Sequence, residues 1–171
     1  MVLDLLLVIP LLLIGFIGPL LNLGDPLATD PLNSLSPIGV NGHLLGTDQN
    51  GRDLLVRMIV GLRTSLIVTV LSVAIGGSVG TAGGLMAGFY RGWVEQVIMR
   101  IVDVFLVFPA ILVAIAVISF VGGSLPNLIL VISLLIAPVF ARVIHASTLV
   151  EVQRDFVEAA RAVGDTNRRI I

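Results

Sequence analysis

Four apolar runs, each close to twenty residues and nearly free of charge, leave this chain few options beyond a bundle of helices in a membrane. They extend from about Leu5 to Leu23, Leu66 to Phe89, Ile101 to Val121 and Leu125 to Val143. A hydrocarbon core roughly 30 Å thick needs about 20 apolar residues in helical form. Within it every backbone N–H and C=O must be paired inside the segment, which favours helix. Composition agrees, with 57% hydrophobic and 12% charged residues among 171, where a soluble domain carries about 25% charged. Pro10, Pro19, Pro109 and Pro138 fall inside the runs. Spanning helices tolerate them because neighbouring groups re-pair the freed carbonyls. The expected fold class is therefore all-α, a polytopic membrane helix bundle with four spans. Residues 1–24 form the first transmembrane helix, 25–62 a loop with an amphipathic lead-in helix, and 63–171 a core holding helices 2–4 and a polar loop.

Several function classes are excluded by residue content. Net charge is −1, so no basic stripe is available to neutralise phosphates and no nucleic-acid partner is expected. The chain has no cysteine, which removes disulfides and thiolate metal sites; no metal and no cofactor is expected. An intramembrane hydrolase needs a nucleophile and base at membrane depth, yet His43 and His145 both lie outside the apolar runs. An ion-coupled secondary transporter needs acids near the midplane. Only Asp103 lies within a run, near one end and three residues after Arg100. That position favours a structural pair with Arg100 over a functional acid. The first run lacks a basic n-region, carries Asp4 and has no small-x-small site after Leu23, so it reads as a retained helix rather than a signal peptide.

Orientation is set by the arginines. Arg91 and Arg100 lie between the second and third runs, and Arg142, Arg154, Arg161, Arg168 and Arg169 come near or after the end of the fourth. Alternating spans put both groups on one side, opposite the uncharged turn Gly122-Gly123-Ser124. The positive-inside rule makes that side cytoplasmic, with the C-terminal tail there and the 25–57 loop outside. Arg52, Arg57 and Arg63 are a partial exception. In the loop, Thr47 or Asp48 can cap a helix through Arg52, Asp53 and Leu54. Its Asp48–Arg52 and Asp53–Arg57 pairs would sit on one face, with Leu54, Leu55, Met58, Ile59 and Leu62 on the other. This reads as a surface lead-in rather than a substrate site.

The second run carries the most regular pattern in the chain. Ser72, Gly76, Gly80, Gly84 and Gly88 recur every four residues, with Gly77 and Gly83 beside them. On a helix they form a stripe without bulk, along which another helix can approach closely. The stripe reads as a packing seam, and it also permits sliding.

Past the fourth run, Asp155-Phe156-Val157-Glu158-Ala159-Ala160-Arg161-Ala162-Val163-Gly164 reads as a two-turn helix. Asp155 and Glu158 stand in an approximate capping box, alanines favour helix, and Gly164 supplies a left-handed stop. Asp165 or Thr166 can cap another helix after it. Two turns are too few for stability alone, so this helix needs a surface to dock on.

Here the residues carry a resemblance. Glu158-Ala159-Ala160, three residues and Gly164 is similar to the start of the EAA loop of ABC importer permeases. The surrounding segment resembles the dipeptide/oligopeptide permease family, as does His43-Leu44-Leu45-Gly46-Thr47-Asp48 with Gly51-Arg52-Asp53 upstream. Gly88-Phe89-Tyr90-Arg91-Gly92 and the stretch from Asp103 to Pro109 also look familial. The resemblance covers about residues 43–171 and implies a six-span type I importer permease in a bacterial or archaeal plasma membrane. It implies a second homologous permease subunit, two cytoplasmic ATP-binding subunits and an extracytoplasmic solute-binding protein, besides membrane lipid. It also implies that Glu158, Ala159, Ala160 and Gly164 couple to the ATPase, although a helix cap remains the plain reading of Glu158. No Gly-x-x-x-x-Gly-Lys-Ser/Thr segment occurs, so ATP hydrolysis is expected of a partner and the chain is not expected to be an enzyme. The family's loop continues past Gly164 into further spans, so the chain is expected to hold four of the six.

Overall fold

The computed structural model describes residues 2–21 and 24–170. The expected end of the first span, at Asn22 and Leu23, lies outside them, as does Ile171. Among the described residues the regular structure is helical, with isolated bridges at Val40–His43 and Thr47–Asp53 and no strand. The helices are α1 (Val2–Ile17), α2 (Leu54–Tyr90), α3 (Gly92–Val107), α4 (Ala110–Val121), α5 (Leu125–Glu151), α6 (Asp155–Ala162) and α7 (Asn167–Ile170). Two compact units divide the chain, Met1–Ile67 and Val68–Ile171, and α2 runs through the boundary.

The apolar runs resolve less evenly than expected. By length and composition α2, at 37 residues, and α5, at 27, can each cross a bilayer. Helix α1 has 16 residues, below the roughly 20 a bilayer needs. It gives way to a 3-10 turn at Gly18–Leu21, where Pro19 supplies no N–H to continue the α-helical ladder. The third run is not one straight helix. It is the pair α3 and α4, bent by 93° at Phe108–Pro109, and it counts as one span only if taken together. Phe108 is extended, with φ −81° and ψ 138°, as a residue before proline is pushed to be. Pro138, by contrast, sits buried inside an unbroken α5.

In the first unit, α1 lies on the first turns of α2. A Cβ built on Gly15 would meet the Leu62 and Leu66 side chains, and one on Gly18 would come 2.5 Å from Ile59 Cγ2. The loop before α2 folds back on itself instead of continuing a helix. Leu35 N–H donates to Asp48 O at 3.1 Å and Thr47 N–H to Ser36 O at 3.2 Å. Thr47 is buried, its hydroxyl accepting from Ser36 N–H and donating to Asn33 O. Gly46 and Gly51 have φ of +76° and +73°, and their α-carbons press on the backbones of Ser36 and Asp30. Neither place admits a side chain.

The expected helix from Asp48 and its i,i+4 ion pairs therefore do not form. Asp53 is the cap instead, accepting from Val56 N–H at 3.1 Å, and its other oxygen meets His43 Nδ1 at 2.7 Å. Asp48 accepts from the N–H groups of Asn50 and Arg52 and pairs with Arg57 at 2.7 Å. Helix α2 begins at Leu54 and joins the lead-in and the second span without a break.

This clasp is acid-sensitive. The Arg52 backbone N–H holds the Asp48 carboxyl below its ordinary range, against some desolvation and with help from Asn50 N–H and Arg57. Burial pushes Asp53 up, but His43 and the N–H groups of Val56 and Leu55 more than reverse it. Both carboxyls thus favour the folded chain when ionised. That stabilisation is complete above the unfolded value of about 4 and is lost as pH falls through the lowered folded values. Hydrogen-exchange protection of the Leu35 and Leu54 amides should fall between about pH 6 and about pH 3, and Asp48→Asn should flatten the change at Leu35. Equal protection at both pH values would contradict the account.

In the second unit α5 packs against α3 and α4 and against the glycine face of α2. Asp103 does not pair with Arg100, as the local spacing suggested; its partner is Arg142 of α5, 39 residues away. A residue three positions off on the same helix is a neighbour, but the packing of α3 on α5 brings Arg142 closer.

Candidate functional site

Two constellations were expected, and in the second unit they adjoin at Thr148, which meets Gly88 of the first and borders the cavity beside the second. The first is the stripe on α2. Ser72 is fully buried, and its hydroxyl donates to Ile129 O at 3.2 Å, 57 residues on. A Cβ on Gly76 would come 2.5 Å from Ser133 O, one on Gly80 would strike Ala137 O, and one on Gly84 would come 2.5 Å from Ala141 O. Each partner again lies 57 residues on, so α2 and α5 run parallel and in register. Gly88 keeps the interval, its Cβ position lying 3.2 Å from His145 O, but Thr148 Cβ comes nearer, at 2.6 Å. The neighbouring Gly83 and Gly77 meet side chains only at ordinary distances, 3.8 Å to Ile98 and 3.5 Å to Phe140. The facing residues Ser133, Ala137 and Ala141 form a second stripe of small residues at the same spacing. It is present in the sequence, but without bulk-free glycines to mark it the pattern is easily missed.

The second constellation is the helical turn after α5. Arg154, whose carbonyl accepts from Val157 N–H at 2.9 Å and from Glu158 N–H at 3.4 Å, occupies the cap of α6. Asp155 and Glu158 lie in its first turn. The expected capping box of Asp155 and Glu158 therefore does not form, because the helix starts one residue earlier on a cap whose side chain cannot accept. The two acids favour the helix through its dipole rather than as caps. At the far end Asp165 N–H donates to Ala160 O at 3.1 Å across Gly164, which has φ +84°. This is the six-to-one bond of a Schellman stop. Arg169 N–H then donates to Thr166 O at 2.9 Å as α7 starts.

The faces of α6 differ. Val157 is 4% exposed. With Phe156 it borders a cavity of about 240 Å³ against Leu85 and Phe89 of α2 and Ile144 and Thr148 of α5. Ala160 is half-buried, while Glu158, Ala159 and Gly164 are exposed. Phe156 and Val163 are 61% and 85% exposed. With Ala159 they fall at i, i+3 and i+7 of one face. Sequence reasoning singled out Glu158, Ala159, Ala160 and Gly164 but missed Val157, the residue that holds the helix down. Its signal was faint, one branched apolar residue between Phe156 and Glu158.

The helices and this docked turn define a bundle with helices long and apolar enough to cross a membrane, and comparison with known proteins places it. Residues 80–171 match the family model of the binding-protein-dependent transport system inner membrane component. A glutathione transport system permease protein of Pectobacterium atrosepticum is 40% identical over 131 residues, covering 77% of this chain and 44% of the relative. A dipeptide transport system permease protein of Alkalihalophilus pseudofirmus is 36% identical over 170 residues, covering 99% of this chain and 56% of the relative. The chain belongs to the binding-protein-dependent transport system inner membrane component family, a family of multi-pass membrane proteins. It spans about half the length of these curated relatives.

Proposed function

We propose that this chain is a permease subunit of an ATP-driven ABC importer for short peptides or related small solutes. It forms half of the translocation pathway and couples to a cytoplasmic ATPase through α6. The observation that carries this reading is the two-faced α6, tied down by Val157 and presenting Phe156, Ala159 and Val163 outward. An exposed apolar face on so short a helix fits a protein partner. Glu158 adds a charged contact at its edge, and Gly164 sets the turn that ends it. The named relatives support the substrate class, one for glutathione and one for dipeptides. A second homologous permease subunit, two ATP-binding subunits and an extracytoplasmic binding protein complete the assembly. Residues 63–171 serve as the permease core. The α2 stripe serves as the packing seam along which α5, and therefore α6, is seated. The arginines flanking α3 and those after α5 support a cytoplasmic tail. An ion-coupled transporter would need an unpaired intramembrane acid, and Asp103 is engaged by Arg142.

Glu158→Lys tests the reading in the assembled importer. The variant should insert at normal levels and lose ATP-driven uptake by about tenfold or more, the loss of one charge-assisted contact of roughly 1.5–3 kcal/mol. Normal uptake would remove Glu158 from the coupling surface.

A further inference from the structure

Helix α5 leads into α6, and its last turns are held from two sides in physically different ways. Toward α2, Ala141, Ile144 and Thr148 lie on Gly84 and Gly88. These glycines have no side chain with which to bind, so the contact is close and carries no directional bond of theirs. Toward α3, three polar contacts succeed one another in antiparallel order. Arg91 Nη2 donates to Leu149 O at 3.5 Å, Glu95 Oε1 meets His145 Nε2 at 2.8 Å, and Asp103 pairs with Arg142. Positions 91, 95 and 103 stand four and eight apart, and 149, 145 and 142 stand four and three apart. Glu95 and Asp103 lie on α3 with Arg91 at its cap, and the α5 set makes one slowly winding stripe. The His145 side chain is 14% exposed and that of Glu95 30%, so this rung is shielded and directional. At its other end α3 meets α4 through the broken backbone at Phe108–Pro109.

We propose that Glu95–His145 and Asp103–Arg142 lock α3 to α5 as one moving body, which slides on the smooth α2 seam and swings about Phe108–Pro109 when α6 is displaced. A directional hydrogen bond and an ion pair resist slip between α3 and α5, whereas a small-residue seam leaves α2 and α5 free to shift by small translations. Glu95, Asp103, Arg142 and His145 are positioning residues: they determine which helix moves with α5. This inference rests on the importer reading for the source of the displacement, but the α3–α5 lock stands on the geometry alone.

Charge reversal and rescue test it. Asp103→Arg and Arg142→Asp each break the pair, and the double variant restores it with the signs exchanged. One readout is solute taken up per ATP hydrolysed by the importer in liposomes. The other is the fluorescence anisotropy of Trp93, the chain's one tryptophan, which is 77% exposed on α3, in the isolated chain in detergent. Each single variant should lower the Trp93 anisotropy and cut uptake per ATP about fivefold or more. The double variant should bring both back to within about twofold. A double variant no better than the singles in anisotropy would overturn the lock. Single variants with normal uptake per ATP would overturn its part in transmission. A wild-type assembly that hydrolyses ATP without uptake, with anisotropy rescue intact, would remove the importer reading and support the lock.

Discussion

Gly84→Ala should destabilise the bundle while Gly83→Ala, one residue earlier, should stabilise it. The two glycines share a helix, a hydropathy and a sequence context, and differ in what a methyl group meets. At Gly84 it would lie 2.5 Å from Ala141 O, 2.9 Å from Ile144 Cβ and 3.0 Å from His145 N. Two of those are backbone atoms and cannot turn aside, so α5 must retreat along its length. Overpacking of this kind costs about 1–3 kcal/mol. At Gly83 the nearest atom is Ile98 Cγ2 at 3.8 Å, ordinary contact. Alanine there gains up to about 1 kcal/mol of helix propensity. The same opposition should hold at Gly76, against Ser133 O, and Gly77, against the Phe140 ring. Unfolding midpoints in detergent read the result directly. Midpoints that fall together at both positions of a pair would show that α5 does not lie where the register places it.

Val157→Asp should release α6 without unfolding the bundle. Val157 is 4% exposed, and an unpaired carboxylate at such a site costs about 3–5 kcal/mol. An eight-residue helix has little stability of its own to set against that. The tail should then be cut by trypsin at Arg154 at least about tenfold faster, because cleavage tracks the population of the open form. Heat stability of the α2–α5 seam should change far less, since the stripe from Ser72 to Gly84 packs along α5 and not on α6. Uptake should be lost as well. Glu158→Gln, which adds no trypsin site, separates the two effects: it should cut uptake by about tenfold or more while leaving the trypsin pattern of the wild type. Equal protease resistance in Val157→Asp would mean that the cavity beside Leu85 and Phe89 does not anchor α6.

How much of this was legible in the sequence depended on the range of each interaction. The glycine stripe was legible because helical periodicity is local, and so was α6, whose alanines and Gly164 state their own geometry. The partners of the charges were not. Spacing matched Asp48 with Arg52 and Asp103 with Arg100, on the premise of continuous helix and same-helix pairing. Gly46 and Gly51 instead fold the loop back, sending Asp48 to Arg57 and Asp53 to His43. Asp103 finds Arg142 because α3 packs on α5, which no local pattern announces. Proline was equally ambiguous: Pro109 divides two helices and Pro138 leaves one whole. Kinks depend on how neighbours satisfy the freed groups. The candidate coupling helix was found by its exposed residues, while the residue that anchors it looked like any valine.

The proposed coupling sets the exposed face of α6 against a cytoplasmic ATPase. The chain has no cysteine, so Ala159→Cys introduces a unique thiol on that face. In inside-out vesicles holding the assembled importer, a short reagent with one thiol-reactive end and one photoreactive end should join the new thiol to the ATP-binding subunit. In intact cells the same thiol should stay unmodified by a membrane-impermeant maleimide. Modification of that thiol from outside the intact cell, or no cross-link to the ATP-binding subunit in a transport-competent assembly, would contradict it.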